Sequence, residues 1–168
     1  MPVFLPVLAS AFGKGTEFRC YFPVQQSAEK IERPPLTTVG DIPGGTETIL
    51  LVEDETPLLV LVKQFLEIKG YTVITASDGE EGVNVYLKNR SDIDLVLSDI
   101  GLPKVEGFEM FERIRSTNPD ILFIFASGFI EPEMKDKILM NGVDRFIQKP
   151  YQLDEVLMAV RSVLDSKK

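Results

Sequence analysis

A chain of 168 residues, 44% of them apolar, can bury one good core while two full domains would be a squeeze, so one domain with an appendage is the expected organisation. Lys and Arg number 18 against 26 Asp and Glu, and the net charge of −8 disfavours nucleic acid and anionic membrane faces while favouring proteins or cations as partners. One cysteine, Cys20, and no histidine exclude an internal disulfide, a Cys/His zinc site and any Ser-His-Asp or Cys-His mechanism; a metal here must be an oxygen-liganded hard ion.

Residues 1–12 are apolar and end in Ala9-Ser-Ala11, but no Lys or Arg precedes the run and two prolines interrupt it, so a signal peptide is not expected. The run also falls well short of the roughly 20 residues that span a bilayer, so no membrane insertion is expected. A glycine turn follows, then a strand alternating Phe18, Cys20 and Phe22 with Glu17, Arg19 and Tyr21, whose plain reading is a lone hairpin arm. Gly13-Lys-Gly-Thr-Glu-Phe18, with Phe22-Pro-Val24 after it, resembles the last glycine box and final strand of the ATP-binding domain of sensor histidine kinases. Only the end of that domain is matched. Its asparagine-bearing helix and Asp-x-Gly-x-Gly loop are missing, so ATP binding is not expected and residues 1–24 read as a remnant.

Residues 25–45 hold Pro34, Pro35 and Pro43 among Thr37, Thr38, Gly40, Gly44 and Gly45, which reads as a linker, and the folded domain is expected over 46–168. From there five strand-like runs, at 48–52, 71–75, 94–98, 121–126 and 145–148, alternate with helical stretches. That order predicts an α/β fold, a parallel sheet with helices on both faces. Pro57 suits a first helical position and Gly70 the residue past a helix end. Leu58, Val62, Phe65 and Leu66 share one face of the first helix, and Leu153, Val156, Leu157, Val160 and Leu164 one face of the last. Ile121-Leu-Phe-Ile-Phe125 is apolar without alternation, as a strand buried on both faces should be. The pairs Asp78-Gly79 and Asn141-Gly142 read as turns.

The chemistry gathers at strand ends. Asp94-Leu-Val-Leu-Ser-Asp99-Ile-Gly-Leu-Pro103 is a short buried strand that stops in a loop, with Asp99 at its carboxyl end, the edge at which open α/β sheets bind ligands. The first strand runs into Glu53-Asp54-Glu55, the fourth into Ser127-Gly128 and the fifth into Lys149-Pro150, so a parallel sheet brings all four groups to one edge. Two unit charges about 4 Å apart repel by roughly 4 kcal/mol at an effective dielectric of 20, so the acids need a counter-charge. A divalent cation with Lys149 would supply it, and Mg²⁺ suits a few carboxylates, a carbonyl and phosphate oxygens.

Ile49-Leu-Leu-Val-Glu-Asp-Glu55, Asp78-Gly79-Glu80-Glu81-Gly82, Leu97-Ser-Asp-Ile-Gly-Leu-Pro103 with Gly107, Ala126-Ser127-Gly128 and Phe146-Ile-Gln-Lys-Pro150 resemble the receiver domain of two-component response regulators, over about residues 46–166. The resemblance implies a flavodoxin-like, doubly wound five-stranded sheet of order 2-1-3-4-5. It implies that Asp99 is the phosphoacceptor, that Glu53, Asp54 and Asp99 hold Mg²⁺ with the Gly101 carbonyl, and that Lys149 and Ser127 bind the phosphoryl group, with Ser127 and Phe146 as switch residues. A histidine kinase or histidine phosphotransfer protein is the implied partner and the cytoplasm the implied location, and a homodimer is compatible with both. The chain would catalyse its own phosphorylation and a slow dephosphorylation. Gly101 offers no side chain beside Asp99, and Phe129 is bulky where polar groups often position water. Only 19 residues follow Lys149, room for one helix. With the kinase-like remnant upstream and no complete kinase domain, that leads to the expectation of the C-terminal receiver of a hybrid sensor kinase, a stand-alone receiver being the near alternative.

Each residue also has a plainer reading: Glu53-Asp54 as a helix-capping pair, Ser127 as a turn serine, Lys149 as a solvated strand end, Phe146 as core. Three other functions are weighed. A phosphatase with an Asp nucleophile needs a second Asp where Gly101 stands, and a flavin binder needs a phosphate-cradling loop where Glu53-Asp54-Glu55 stands. A receiver fold used as an unphosphorylated interaction module is the remaining rival.

Overall fold

The computed structural model describes residues 6–21, 42–128 and 138–166, and the chain divides into two units, Met1–Leu36 and Thr37–Lys168. Of the sequence expectations, Phe22-Pro-Val24, most of the linker, Phe129 and the Cys20 side chain lie outside the described residues.

The first unit contains a β-hairpin. β1 (Pro6–Ala11) pairs antiparallel with β2 (Gly15–Cys20), Leu8 opposite Phe18 and Ser10 opposite Thr16. The turn closes through Lys14 N–H on the Ala11 carbonyl at 3.0 Å, with Gly13 at φ +75°, a conformation that glycine adopts without steric cost. The expected arm is thus β2; its partner β1 was not foreseen, because the prolines that argued against a signal peptide also masked a strand that begins at Pro6.

The second unit is a five-stranded parallel sheet, β3 (Thr48–Val52), β4 (Thr72–Ala76), β5 (Leu95–Asp99), β6 (Leu122–Ser127) and β7 (Arg145–Gln148), in the order β4-β3-β5-β6-β7. Counted within the unit this is 2-1-3-4-5, the flavodoxin-like doubly wound order. Two strands fall at the expected residues, and β4, β5 and β6 are shifted by one, which carries Asp99 and Ser127 into the last rung of their strands. Four helices lie wholly within the described residues, α1 (Thr56–Ile68), α2 (Gly79–Asn89), α3 (Gly107–Thr117) and α4 (Leu153–Asp165), and residues 138–140 are also helical.

Period-two alternation sends the strand residues to two separate cores. Ile49, Leu51, Leu95, Leu97, Ile124 and Ile147 pack with Val62 and Leu66 of α1 and Val156 and Val160 of α4. Leu50, Val52, Val96, Phe123 and Phe125 pack on the opposite face with Tyr86 of α2 and Met110, Phe111 and Ile114 of α3. Phe111, Phe123 and Phe125 form an aromatic knot with centroids 4.8–6.1 Å apart. Each such pair is worth about 0.5–1.5 kcal/mol beyond its buried area.

Local signals end the helices where the sequence places them: Pro57 lies in the first turn of α1, and past its last residue Gly70, at φ +94°, donates to the Glu67 carbonyl at 2.9 Å. Asp78-Gly79, read as a turn, instead starts a helix: Asp78 is the N-cap of α2 and accepts from Glu81 N–H at 2.8 Å. Asn141-Gly142 is a turn. The packed unit also starts before the expected Thr46. Ile42 is 4% exposed, its carbonyl accepts from Lys69 Nζ at 2.8 Å, and Gly45 N–H donates to the Lys69 carbonyl at 3.1 Å. A Pro-Gly-Gly run reads as linker, yet here it lets the backbone approach α1 so closely that a Cβ on Gly44 would strike the Lys69 carbonyl.

Candidate functional site

Because the sheet is parallel, the residues that end β3, β5, β6 and β7 converge on one edge. Glu53 follows β3 and is fixed there by its own N–H, which continues the ladder to the Ala76 carbonyl of β4 at 3.1 Å. Its side chain is 4% exposed. Asp99 ends β5, one strand over, and Ser127, 8% exposed, ends β6. Lys149 follows β7, held by its N–H on the Ser127 carbonyl at 2.7 Å.

Lys149 is the centre of the arrangement: its Nζ donates to Glu53 Oε2 at 2.8 Å and to Asp99 Oδ2 at 2.7 Å, with its side chain 17% exposed. The other Asp99 oxygen accepts from the N–H groups of Ile100 at 2.6 Å and Gly101 at 3.2 Å. Burial alone would push the Lys149 ammonium down, but its hydrogen bonds to Asp99 and Glu53, and their charges, hold it above its ordinary value, so it stays charged. Burial pushes the Glu53 carboxyl up, with Lys149 opposing. Next to Lys149, burial pushes the Tyr151 phenol up to about 12.

Glu53, the exposed Asp54 and Asp99 present carboxylate oxygens within 4.8 Å of one another. Oxygens around one small octahedral ion at roughly 2.1 Å lie no more than about 4.2 Å apart, so the group needs only a slight closure to share a hard cation. The donor set is oxygen alone and Lys149 completes the charge balance. The residues fit such an ion.

The structure thus brings Glu53, Asp54, Asp99 and Lys149 together, with Ser127 on the neighbouring strand end and Gly101 two residues past Asp99, exposed and with open space where a Cβ would be. Phe146 is half-buried on β7 against the core of α2 and α3. Two features escaped the sequence reading. Tyr151, with Leu58, Gly128, Lys149 and Pro150, lines an open, mainly apolar hollow of about 460 Å³ beside the acids. Lys104, in the loop after β5, is paired with Asp78 at 2.5 Å. The Asp78-x-x-Glu81 spacing of a capping box signals the helix start, but no local pattern signals its lysine partner.

Among the described residues, no helix is long and apolar enough to cross a membrane. Compared with known proteins, residues 49–161 match the response regulator receiver domain family. The chain is 29% identical over 165 residues to the sensor kinase CckA of Brucella abortus, covering 94% of this chain and 17% of that protein. It is 34% identical over 119 residues to the transcriptional regulatory protein RprY of Bacteroides fragilis, 69% of this chain and 48% of that one. The chain therefore spans less than half the length of either relative. Among solved structures, the CheY-like response regulator receiver domain protein of Methanospirillum hungatei is similar at 32% identity and a TM-score of 0.65, over 73% of this chain and 97% of that one.

Proposed function

The chain belongs to the response regulator receiver domain family, the phosphoacceptor domains of two-component signalling, and from that premise we propose that Asp99 receives the phosphoryl group, with Glu53, Asp54, Asp99 and the Gly101 carbonyl as ligands for Mg²⁺. The observation that carries this reading is the Lys149 ammonium bridging Glu53 and Asp99 at 2.8 and 2.7 Å, in reach of the strand end that carries Ser127. Three acids and one lysine at one sheet edge carry net negative charge, so a dianionic phosphoryl group is accepted there only together with a divalent cation on the acids.

A carboxylate oxygen of Asp99 attacks phosphorus in line; the O–P bond forms as the P–N bond to a donor phosphohistidine breaks, and the imidazole nitrogen keeps the electron pair. Lys149 turns from its carboxylates to the equatorial phosphoryl oxygens, and Ser127 donates a hydrogen bond to one of them. Mg²⁺, when bound, supplies Lewis-acid neutralisation of the same charge. These 168 residues hold no histidine, so the phosphohistidine donor lies outside them, in a histidine kinase or histidine phosphotransfer protein, or is replaced by a small acyl phosphate. The apolar hollow of Leu58, Pro150 and Tyr151 beside Lys149 supports protein docking there. Residues 1–24, which resemble the end of a kinase ATP-binding domain ahead of the receiver, suit a hybrid sensor kinase working in the cytoplasm; the similarity to a sensor kinase over 94% of the chain supports this.

Intact mass after incubation with acetyl phosphate and Mg²⁺ tests the reading. One phosphoryl group gained, and lost in Asp99→Asn and with EDTA, is the expected result. No gain by folded protein that binds Mg²⁺ would favour an unphosphorylated interaction module.

A further inference from the structure

Between Asp99 and α3 the chain turns through residues 100–106, the loop that carries Gly101. Short backbone hydrogen bonds shape it: Leu102 N–H to the Ile100 carbonyl at 2.9 Å, Val105 N–H to Pro103 at 2.8 Å and Gly107 N–H to Ile100 at 2.8 Å. At its middle Lys104 sits at φ +63°, the left-handed region that glycine and asparagine enter readily and lysine enters only against Cβ–carbonyl repulsion. Conformation alone therefore argues against lysine at this position. Its side chain argues for it: Nζ lies 2.5 Å from Oδ2 of Asp78, a residue 6% exposed. The other Asp78 oxygen accepts from Glu81 N–H at 2.8 Å, so the carboxylate is anchored to the first turn of α2. The Glu81 amide and Lys104 together hold the Asp78 carboxyl below its usual range.

The backbone repeats the contact. Gly79 N–H donates to the Pro103 carbonyl at 3.4 Å, and a Cβ on Gly79 would strike the Val105 carbonyl. At the loop's other end, the amides of Ile100 and Gly101 donate to Asp99 Oδ1. A loop tied at both ends transmits a shift at 103–105 directly to Gly101 and to the Asp99 carboxylate.

We propose that Lys104 and Asp78 form an ionic strap that holds the loop after β5 against α2, and so positions Gly101 and Asp99 for the cation and the phosphoryl group. The strap deepens the reading of Asp99 as phosphoacceptor and rests on it. Lys104 and Asp78 are positioning residues, acting through the loop. Partners of this outer kind typically cost about 10–100-fold in metal affinity when removed. Because the Lys104 side chain is 60% exposed and the pair is screened by solvent, an effect of about 3–10-fold is expected here.

The discriminating variant is Lys104→Gly, which relieves the left-handed backbone while deleting the strap; Asp78→Asn keeps a capping side chain while deleting the charge, and Lys104→Arg keeps the charge. Three readouts are taken on each. In metal-free protein, hydrogen exchange at the Val105 and Gly107 amides should quicken in Lys104→Gly and Asp78→Asn and stay near wild type in Lys104→Arg. A Mg²⁺ titration followed by the Gly101 amide NMR shift should give a Kd about 3–10-fold weaker in the first two and within about twofold in the third. Phosphorylation by acetyl phosphate should need correspondingly more Mg²⁺ for half-maximal rate, with the rate at saturating Mg²⁺ within about twofold of wild type. If Lys104→Gly binds Mg²⁺ as tightly as wild type with the loop amides equally protected, the backbone positions the loop unaided and the strap is refuted. If wild type binds Mg²⁺ yet takes up no phosphoryl group, the phosphoacceptor reading fails, while the exchange and titration arms still decide the strap.

Discussion

Lys149→Met removes the ammonium at the centre of the site and keeps most of the stem that packs there. The structure sets the magnitude: Nζ bonds Glu53 and Asp99 at 2.8 and 2.7 Å, and the three side chains are 17%, 4% and 15% exposed. Removing one partner of a buried ion pair costs about 3–5 kcal/mol, because the remaining charge stays buried and uncompensated. Water reaches Asp99 and Lys149 more easily than Glu53, so the expected loss is about 2–4 kcal/mol in metal-free protein. For a domain of this size that is a fall in Tm of about 8–15 °C. Mg²⁺ restores positive charge at the same carboxylates, so it should raise the Tm of the variant more than that of wild type. The pH dependence has a definite sign. Burial already pushes the Glu53 carboxyl up, and without Lys149 only the long hydrogen bond from Glu55 N–H, at 3.4 Å, still opposes it. A folded-state pKa above the unfolded one adds stability that is fully present below the unfolded pKa and lost as pH rises through the folded value. The deficit of Lys149→Met should therefore shrink between pH 8 and pH 5. Urea unfolding at both pH values, with and without Mg²⁺, is the assay. A deficit below about 1 kcal/mol, or one that Mg²⁺ leaves unchanged, would refute the view that Lys149 offsets the buried acids.

At the other end of the sheet, Arg161 bonds both oxygens of Glu47 at 2.8 and 3.2 Å and holds its carboxyl down at about 2. A depressed carboxyl contributes stability above its unfolded pKa and loses it as pH falls toward the folded value, here from about 4.5 to about 2. Discounted for solvent, that is about 1–2 kcal/mol, so Glu47→Gln should lose this much at pH 6 and only about a quarter of it at pH 2.5 in urea titrations. Gly101→Asn should be accommodated, since a Cβ there meets nothing within 4 Å. Its amide can position water at the phosphoryl group, so phospho-protein followed by intact mass should decay several-fold faster; an unchanged rate would remove Gly101 as a cause of slow dephosphorylation.

Much of this protein was legible in the chain itself. Strands read as β-branched apolar runs, and their alternation with helical stretches implies a parallel sheet, because a parallel strand needs a crossover. Once parallel, the sheet must carry Glu53, Asp99, Ser127 and Lys149 to one edge, whatever the details of packing. The strand limits slipped by a residue at β4, β5 and β6, where the strands continue into Ala76, Asp99 and Ser127 and hydrogen-bond partners, not composition, decide the last rung. Other features belong to the tertiary structure alone. Ile42 counts as linker by its neighbours and as core by its burial, because only folding gathers it into one cluster with residues of α1 and α4. Lys104 and Asp78 stand 26 positions apart, one in the loop after a strand and the other in a pair read as a turn, and no local rule pairs them. Local sequence carries periodicity and capping, which act within a few residues. Ion pairs and packing act through space, and their partners are settled only when the sheet brings distant loops together.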